Sequence, residues 1–282
     1  ETGLLTATEV ANASHVKLAL EYDIDILWIG ARSTVSPFIV QEIADALNGT
    51  EKIVLVKNPV NPDLSLWLGG IERLYTANIK KLGVIHRGFS TYEKSKYRNN
   101  PEWQLPIELQ NRFPDLPLIC DPSHIAGRRD ILQDISQTAL DLNFDGLMIE
   151  SHITPDEAWS DAKQQITPEV LGELLNNLIV RDVETDDQAF FDSLETLRGK
   201  INEIDEELVD LIAKRMGIVE EIGAFKKMQN ITILQPERWE EIKNLQFAAA
   251  DKANLSKKFI IKYLEAIHQE SIRHQTSVMN RK

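Results

Sequence analysis

The hydrophobic period of the chain changes once, near residue 180, and that change limits what it is able to build. Before it, short runs rich in Val, Ile and Leu recur: "LLTATEV", "IDILWIG", "KIVLVK", "LGVIHR", "PLICD" and "GLMIE". Between them lie stretches of helical period such as "SPFIVQEIADAL", "DLSLWLGGIERLYTA", "RRDILQDISQTALDL" and "TPEVLGELLNNLIV". Runs that are apolar on both faces are strands of a parallel sheet, and helices carry the chain back over it. Six such units, with polar residues behind nearly every strand, favour a (β/α)8 TIM barrel over a dinucleotide-binding sheet. No Gly-x-Gly-x-x-Gly follows any strand, which removes the main support for the latter. Residues 1–180 are therefore expected to be α/β, with the first two strands of the barrel absent from this sequence, since "ETGLL" leaves no room for them.

Residues 181–188, "RDVETDDQ", are acidic and without periodicity, and read as a linker. From 189 to 282 the pattern is wholly helical. Leu194, Leu197, Ile201, Ile204, Leu208, Leu211, Ile218, Ile222 and Phe225 recur mostly in steps of three and four, and Arg215 bridges the one longer step. That predicts one helix of about 35 to 40 residues, a break near "NITILQPER", and two shorter helices. Pro236 suits the first turn of the second, where its missing N–H costs nothing. Two short helices cannot cover so long a stripe, so a homodimer through the long helix is expected, with higher assembly left open.

Of 44 acidic and 31 basic residues, Ala189–Lys282 holds 15 of each, leaving 29 and 16 before it. The excess of negative charge thus belongs to the barrel region and argues against a nucleic-acid partner. No run reaches the roughly 18 to 20 apolar residues that span a bilayer, and no basic-then-apolar leader opens the chain. With one cysteine, Cys120, no internal disulfide is possible, and a cytoplasmic location is expected. Cys120 itself reads as a packed strand residue.

Chemistry in a barrel collects behind the strands. There the sequence supplies Arg32, Lys57, Arg87, His124, Glu150 and, a little later, Asp161. Three cations suit a substrate that carries phosphate and carboxylate. A His with two carboxylates suits a divalent ion of the Mn, Fe, Co or Zn group. Each alone has a structural explanation; six at successive strand ends point to one site.

"TEVAN", "WIGARS", "LVKNPVNPD", "IHRGFS", "CDPSHIAGRRD", "GLMIESH" and "SDAKQ" together resemble 3-deoxy-D-arabino-heptulosonate 7-phosphate (DAHP) synthase, in its compact-barrel subtype, over nearly all of residues 1–180. The resemblance implies condensation of phosphoenolpyruvate with erythrose 4-phosphate. It also implies that Arg32, Lys57 and Arg87 hold phosphoenolpyruvate, Lys57 taking part in catalysis, and that His124, Glu150 and Asp161 bind the metal, Mn2+ first among the candidates. The family's Gly-Pro-Cys-Ser segment, which carries a fourth metal ligand, and its Lys-Pro-Arg segment are not among these 282 residues. A polypeptide limited to them is expected to lack synthase activity.

In the helical part, Arg215 and Lys226 lie 11 residues apart and so differ by about 20° around the helix. Arg198 is 17 residues before Arg215, about 25 Å away, too far to serve one small ligand from the same chain. An antiparallel dimer would bring Arg198 of the partner subunit into reach. The long helix, followed by "PER" and "ESIRHQ", resembles the all-helical chorismate mutase family over residues 189–276. That implies rearrangement of chorismate to prephenate, with Arg198, Arg215, Lys226 and Gln275 as catalytic residues and Arg238 and Ser271 lining the site. Gln235 and Trp239 stand where the family often has acidic residues, which bears on substrate affinity. The whole chain then reads as a bifunctional enzyme of aromatic amino-acid biosynthesis. Feedback by prephenate or chorismate through the mutase part is expected. The alternatives are a barrel without synthase activity beside an active mutase, or a mutase part that acts mainly as a regulatory binding module.

Overall fold

A computed structural model describes residues 2–92, 95–182 and 184–281. Six strands, β1 (Ala7–Val10), β2 (Ile26–Ile29), β3 (Ile53–Lys57), β4 (Leu82–His86), β5 (Leu118–Cys120) and β6 (Gly146–Leu147), form one sheet. Every neighbouring pair is parallel and the spatial order is the chain order, β1 to β6. Sequential parallel order with helical returns is the winding of a TIM barrel rather than of a doubly wound sheet, whose order reverses at a switch point. Each strand lies inside one of the six apolar runs. The helices of this region are α1 (Ala13–Glu21), α2 (Ala31–Thr34), α3 (Pro37–Leu47), α4 (Leu64–Thr76), α5 (Gln104–Arg112), α6 (Pro122–Ala126), α7 (Leu132–Asp141) and α8 (Pro168–Asn177).

The polar residues behind the strands divide into two kinds. Some start helices: the side chains of Asn12, Ser36, Asp63, Asp121 and Thr167 each accept a hydrogen bond from the backbone N–H three residues on, satisfying a donor that the first turn leaves free. The others are left over for chemistry. Between sheet and helices lies a continuous core. Val10, Leu27, Ile29, Val54, Val56, Val84 and Leu118 of the strands meet Val40, Ile43, Leu47, Trp67, Leu74, Leu109 and Ile135 of the helices. Cys120 is fully buried among them, and burial pushes its thiol well above the usual range.

The contact pattern divides the chain into two units, Glu1–Glu184 and Thr185–Lys282. Val183, within the expected linker, lies outside the described residues, and the linker's last residue, Gln188, already belongs to a helix. That helix, α9 (Gln188–Met228), is 41 residues long, and α10 (Pro236–Lys252) and α11 (Lys257–Asn280) follow. Asp187 caps α9 by accepting from the backbone N–H of Ala189 and Phe190. Among the described residues only the C-terminal half of α9 finds cover: Met216 and Val219 pack with Ile267 of α11. Leu197, Ile201, Ile204, Leu208 and Leu211 stay 51–59% exposed. On a helix about 60 Å long, that stripe is a contiguous apolar face left open to solvent.

Candidate functional site

In the α/β unit the expected residues reach one rim because each follows the carboxyl end of a parallel strand. Arg32 sits in α2 just after β2, Lys57 ends β3, Arg87 follows β4, and His124 lies in α6 directly after β5. Glu150 comes three residues beyond β6 and Asp161 in the following loop, with a left-handed backbone at φ 49°. Arg32, Lys57, Arg87, His124 and Asp161 line one cleft of about 280 Å³ together with Glu9, Arg98 and Asn99. One ligand atom each of His124, Glu150 and Asp161 lie within 4.8 Å of one another. An imidazole and two carboxylates so placed, each only partly buried, fit a divalent ion.

The neighbours of these groups explain how they are held. Asp121, 1% exposed, accepts a hydrogen bond from Lys57 Nζ at 2.9 Å on Oδ2. Its Oδ1 caps α6 by accepting from the His124 backbone N–H at 3.0 Å. His124 Nδ1 stands 2.8 Å from the same Oδ2, out of line for a hydrogen bond, and Nε2 stands 3.6 Å from Glu150 Oε1. Burial alone would raise the Asp121 carboxyl, but His124 and Lys57 outweigh it and bring its pKa down to about 2. Arg98 donates to Asp161 at 2.6 Å and to Gln164 at 2.8 Å, and Gln164 donates on to Glu150 at 2.9 Å. The Arg98 hydrogen bond holds the Asp161 carboxyl below the usual range. Arg87 donates to Asn99 at 3.0 Å, and burial lowers its guanidinium pKa.

Sequence reasoning missed Asp121, Arg98, Asn99, Gln164 and Glu9. Asp121 lies inside "CDPSH", where the structure also has it capping α6. Arg98 comes from an irregular loop with no periodicity, and Asp161 is 63 residues away from it. Gly127 closes α6 in the left-handed region at φ 64°, and a Cβ there would overlap the Arg98 side chain. The glycine of "HIAGRRD" thus leaves room for a site residue, while Arg128 and Arg129 pair with Asp130 and Asp156 at the surface.

In the helical unit, Arg215 of α9 donates to Ser271 Oγ of α11 at 2.8 Å, and Ser271 donates to the Ile267 carbonyl at 2.7 Å. Gln275, one turn further along α11, is 9% exposed, and its Oε1 has no hydrogen-bond partner among the described residues. Lys226 Nζ donates to the Ile233 carbonyl at 2.6 Å. The other expected residues are not drawn into this cluster. Arg198 is exposed and pairs with Glu195 at 2.7 Å, and Arg238 is exposed and pairs with Glu241 at 2.5 Å. Gln235 precedes α10 without a capping side-chain bond. Trp239 stacks on His268, ring centroids 4.3 Å apart. Burial and the Arg215 charge both lower the pKa of His268, a group the sequence pattern did not bring forward.

Comparison with known proteins bears on both units. Residues 1–185 match the DAHP synthetase I family. The chain belongs to that family. Residues 197–276 match chorismate mutase type II, so a DAHP synthase domain is followed by a chorismate mutase domain. The phospho-2-dehydro-3-deoxyheptonate aldolase of Thermotoga maritima is 30% identical over 176 residues, which is 62% of this chain and 50% of that protein. The T-protein of Haemophilus influenzae is 32% identical over 83 residues, 29% of this chain and 22% of that protein. Among solved structures, a truncated form of the Thermotoga maritima 3-deoxy-D-arabino-heptulosonate 7-phosphate synthase superposes with a TM-score of 0.56 at 28% identity, covering 62% of this chain and 64% of that one. The crystal structure of DAHP synthase from the same organism gives the same score over 49% of its chain. The chain thus spans half or less of the length of the curated relatives it matches. Type I DAHP synthases are divalent-metal enzymes, and the His124, Glu150 and Asp161 cluster is a possible site for such an ion. Among the described residues no helix is long and apolar enough to cross a membrane.

Proposed function

We propose that the protein catalyses two reactions, condensation of phosphoenolpyruvate with erythrose 4-phosphate in the barrel and rearrangement of chorismate to prephenate in the helical unit. The observation that carries the first is the meeting of Arg32, Lys57 and Arg87 with His124 and Asp161 in one cleft, Glu150 standing within 4.8 Å of the last two. The three cations bind the phosphate and carboxylate of phosphoenolpyruvate, the guanidinium groups by paired N–H donors. Asn99 fixes Arg87, and Asp121 fixes Lys57, so both are aimed before substrate arrives. His124, Glu150 and Asp161 would hold the divalent ion, Mn2+ by preference. When bound, it supplies a Lewis acid for the aldehyde oxygen. The test is the intact protein with both phosphorylated substrates and Mn2+: Arg87→Ala should raise the KM for phosphoenolpyruvate, and Asp161→Asn should remove turnover. Full turnover in Asp161→Asn overturns the assignment.

The second reaction is pericyclic and needs no nucleophile, acid or base. What accelerates it is a pocket that holds a dicarboxylate folded and stabilises charge on the breaking ether oxygen. Arg215 and Arg198 of the partner subunit bind the carboxylates, and Lys226 and Gln275 donate to the ether oxygen. Ser271, which accepts from Arg215, belongs to the lining, and the family resemblance alone assigns Arg238, Gln235 and Trp239 to it. Homodimerisation through α9 follows from the same reading, because the exposed stripe and the distant Arg198 lie on one helix. Prephenate is then a natural feedback ligand, checked by synthase rates with and without it. The single buried thiol of Cys120 suits a reducing, cytoplasmic setting.

A further inference from the structure

Asp121 has no part in the proposed roles above beyond steadying Lys57, yet it is the most deeply buried carboxylate at the cleft. Its Oδ2 accepts from Lys57 Nζ at 2.9 Å and faces His124 Nδ1 at 2.8 Å. One oxygen atom therefore accepts from the cation assigned to the substrate anion and lies beside, without yet bonding, the imidazole assigned to the metal. Lys57 is 6% exposed, and its ammonium also lies over the Trp28 ring, 5.8 Å from the centroid. A buried lysine with this carboxylate as its ionic partner stays on it until another anion draws it away.

We infer that Asp121 is a positioning residue that links anion binding at Lys57 to metal binding at His124. With Nδ1 turned toward the carboxylate, Nε2 is the nitrogen left facing Glu150, and a carboxylate on the far nitrogen makes an imidazole a stronger ligand. Phosphoenolpyruvate, in engaging Lys57, releases Oδ2 to His124. The anion then strengthens the metal site without touching it. This rests on the metal and substrate assignments proposed above.

The experiment is calorimetric titration of Mn2+ into the intact protein, with and without saturating phosphoenolpyruvate. Wild type should bind Mn2+ several-fold more tightly when the anion is present. Asp121→Asn keeps the helix cap, since Asn caps as well as Asp, and removes only the charge. It should bind Mn2+ about 10- to 100-fold more weakly, with less than a twofold effect of phosphoenolpyruvate. If the unpaired lysine prevents folding, Lys57→Met/Asp121→Asn removes it and should show the same loss of Mn2+ affinity. Asp161→Asn separates the two levels of the argument. If it loses Mn2+ while both Asp121 variants bind as wild type, the link is overturned and the metal site stands. If it binds as wild type, both fall. Wild-type Mn2+ affinity indifferent to phosphoenolpyruvate also overturns the link.

Discussion

His86 ends β4 with its ring caged by Phe89, Trp103 and Phe144 and, slightly further out, Trp67. Burial is the largest influence on it and lowers its pKa from 6.5 to about 3. The sign of the consequence follows. Between those values the unfolded chain binds a proton that the native imidazole refuses, so stability falls as pH drops from about 6.5 toward 3, by at most about 1.4 kcal/mol per pH unit from this residue. His86→Phe removes that contribution. Its urea midpoint, followed by tryptophan fluorescence, should fall less than that of wild type between pH 7 and pH 4.5. At the proposed mutase site, Lys226→Ala should cut chorismate turnover by about 10²- to 10³-fold, the usual cost of one transition-state donor, while circular dichroism and sedimentation mass match wild type. Retained turnover would show the donor to be elsewhere.

Two glycines of α9 show how an element responds as a whole. A Cβ on Gly199 would meet nothing within 4 Å among the described residues, and the position lies opposite the apolar stripe. Gly199→Ala should therefore raise stability by about 1 kcal/mol through helix propensity alone. A Cβ on Gly223 would instead stand 3.3 Å from the Cα and Cγ of Gln275, so α9 and α11 approach closely there. Gly223→Val should push α11 outward and misplace Gln275. The expected result is a mutase kcat lowered at least tenfold and a lower melting temperature, against a higher one for Gly199→Ala. The same length of helix thus has one position that gains and one that loses, and only the contact across helices tells them apart.

For the assembled molecule, the decisive property is whether a mutase site draws on two subunits. Arg198 and Arg215 are about 25 Å apart along α9, and among the described residues Arg198 has only Glu195 as an ion-pair partner within its own chain. If the site is shared, Arg198→Ala and Lys226→Ala are each inactive alone, but a mixture that exchanges subunits regains activity. A twofold interface gives each mixed dimer one intact site, so an equal mixture should recover about one quarter of the wild-type rate. No recovery after proven exchange would put Arg198 and Lys226 in the same subunit's site. Sedimentation at micromolar concentration should show the dimer itself.

The sequence was enough for the element plan and for the residues that meet at the barrel rim. Fully buried parallel strands must be nearly continuous apolar runs, so the six strands are visible without any contact being known, and a helix with a three-and-four stripe is visible for the same reason. Arg32, Lys57, Arg87, His124, Glu150 and Asp161 were legible because a parallel strand delivers whatever follows it to one rim. Tertiary structure alone decided the rest. Asp121 serves a lysine 64 residues away and Arg98 an aspartate 63 away. Such pairs leave no periodic trace, because the hydrogen bond depends on distance in space while sequence patterns record only distance along the chain. His268 was hidden likewise: its stacking partner Trp239 is on α10, and the Arg215 charge that lowers its pKa comes from α9.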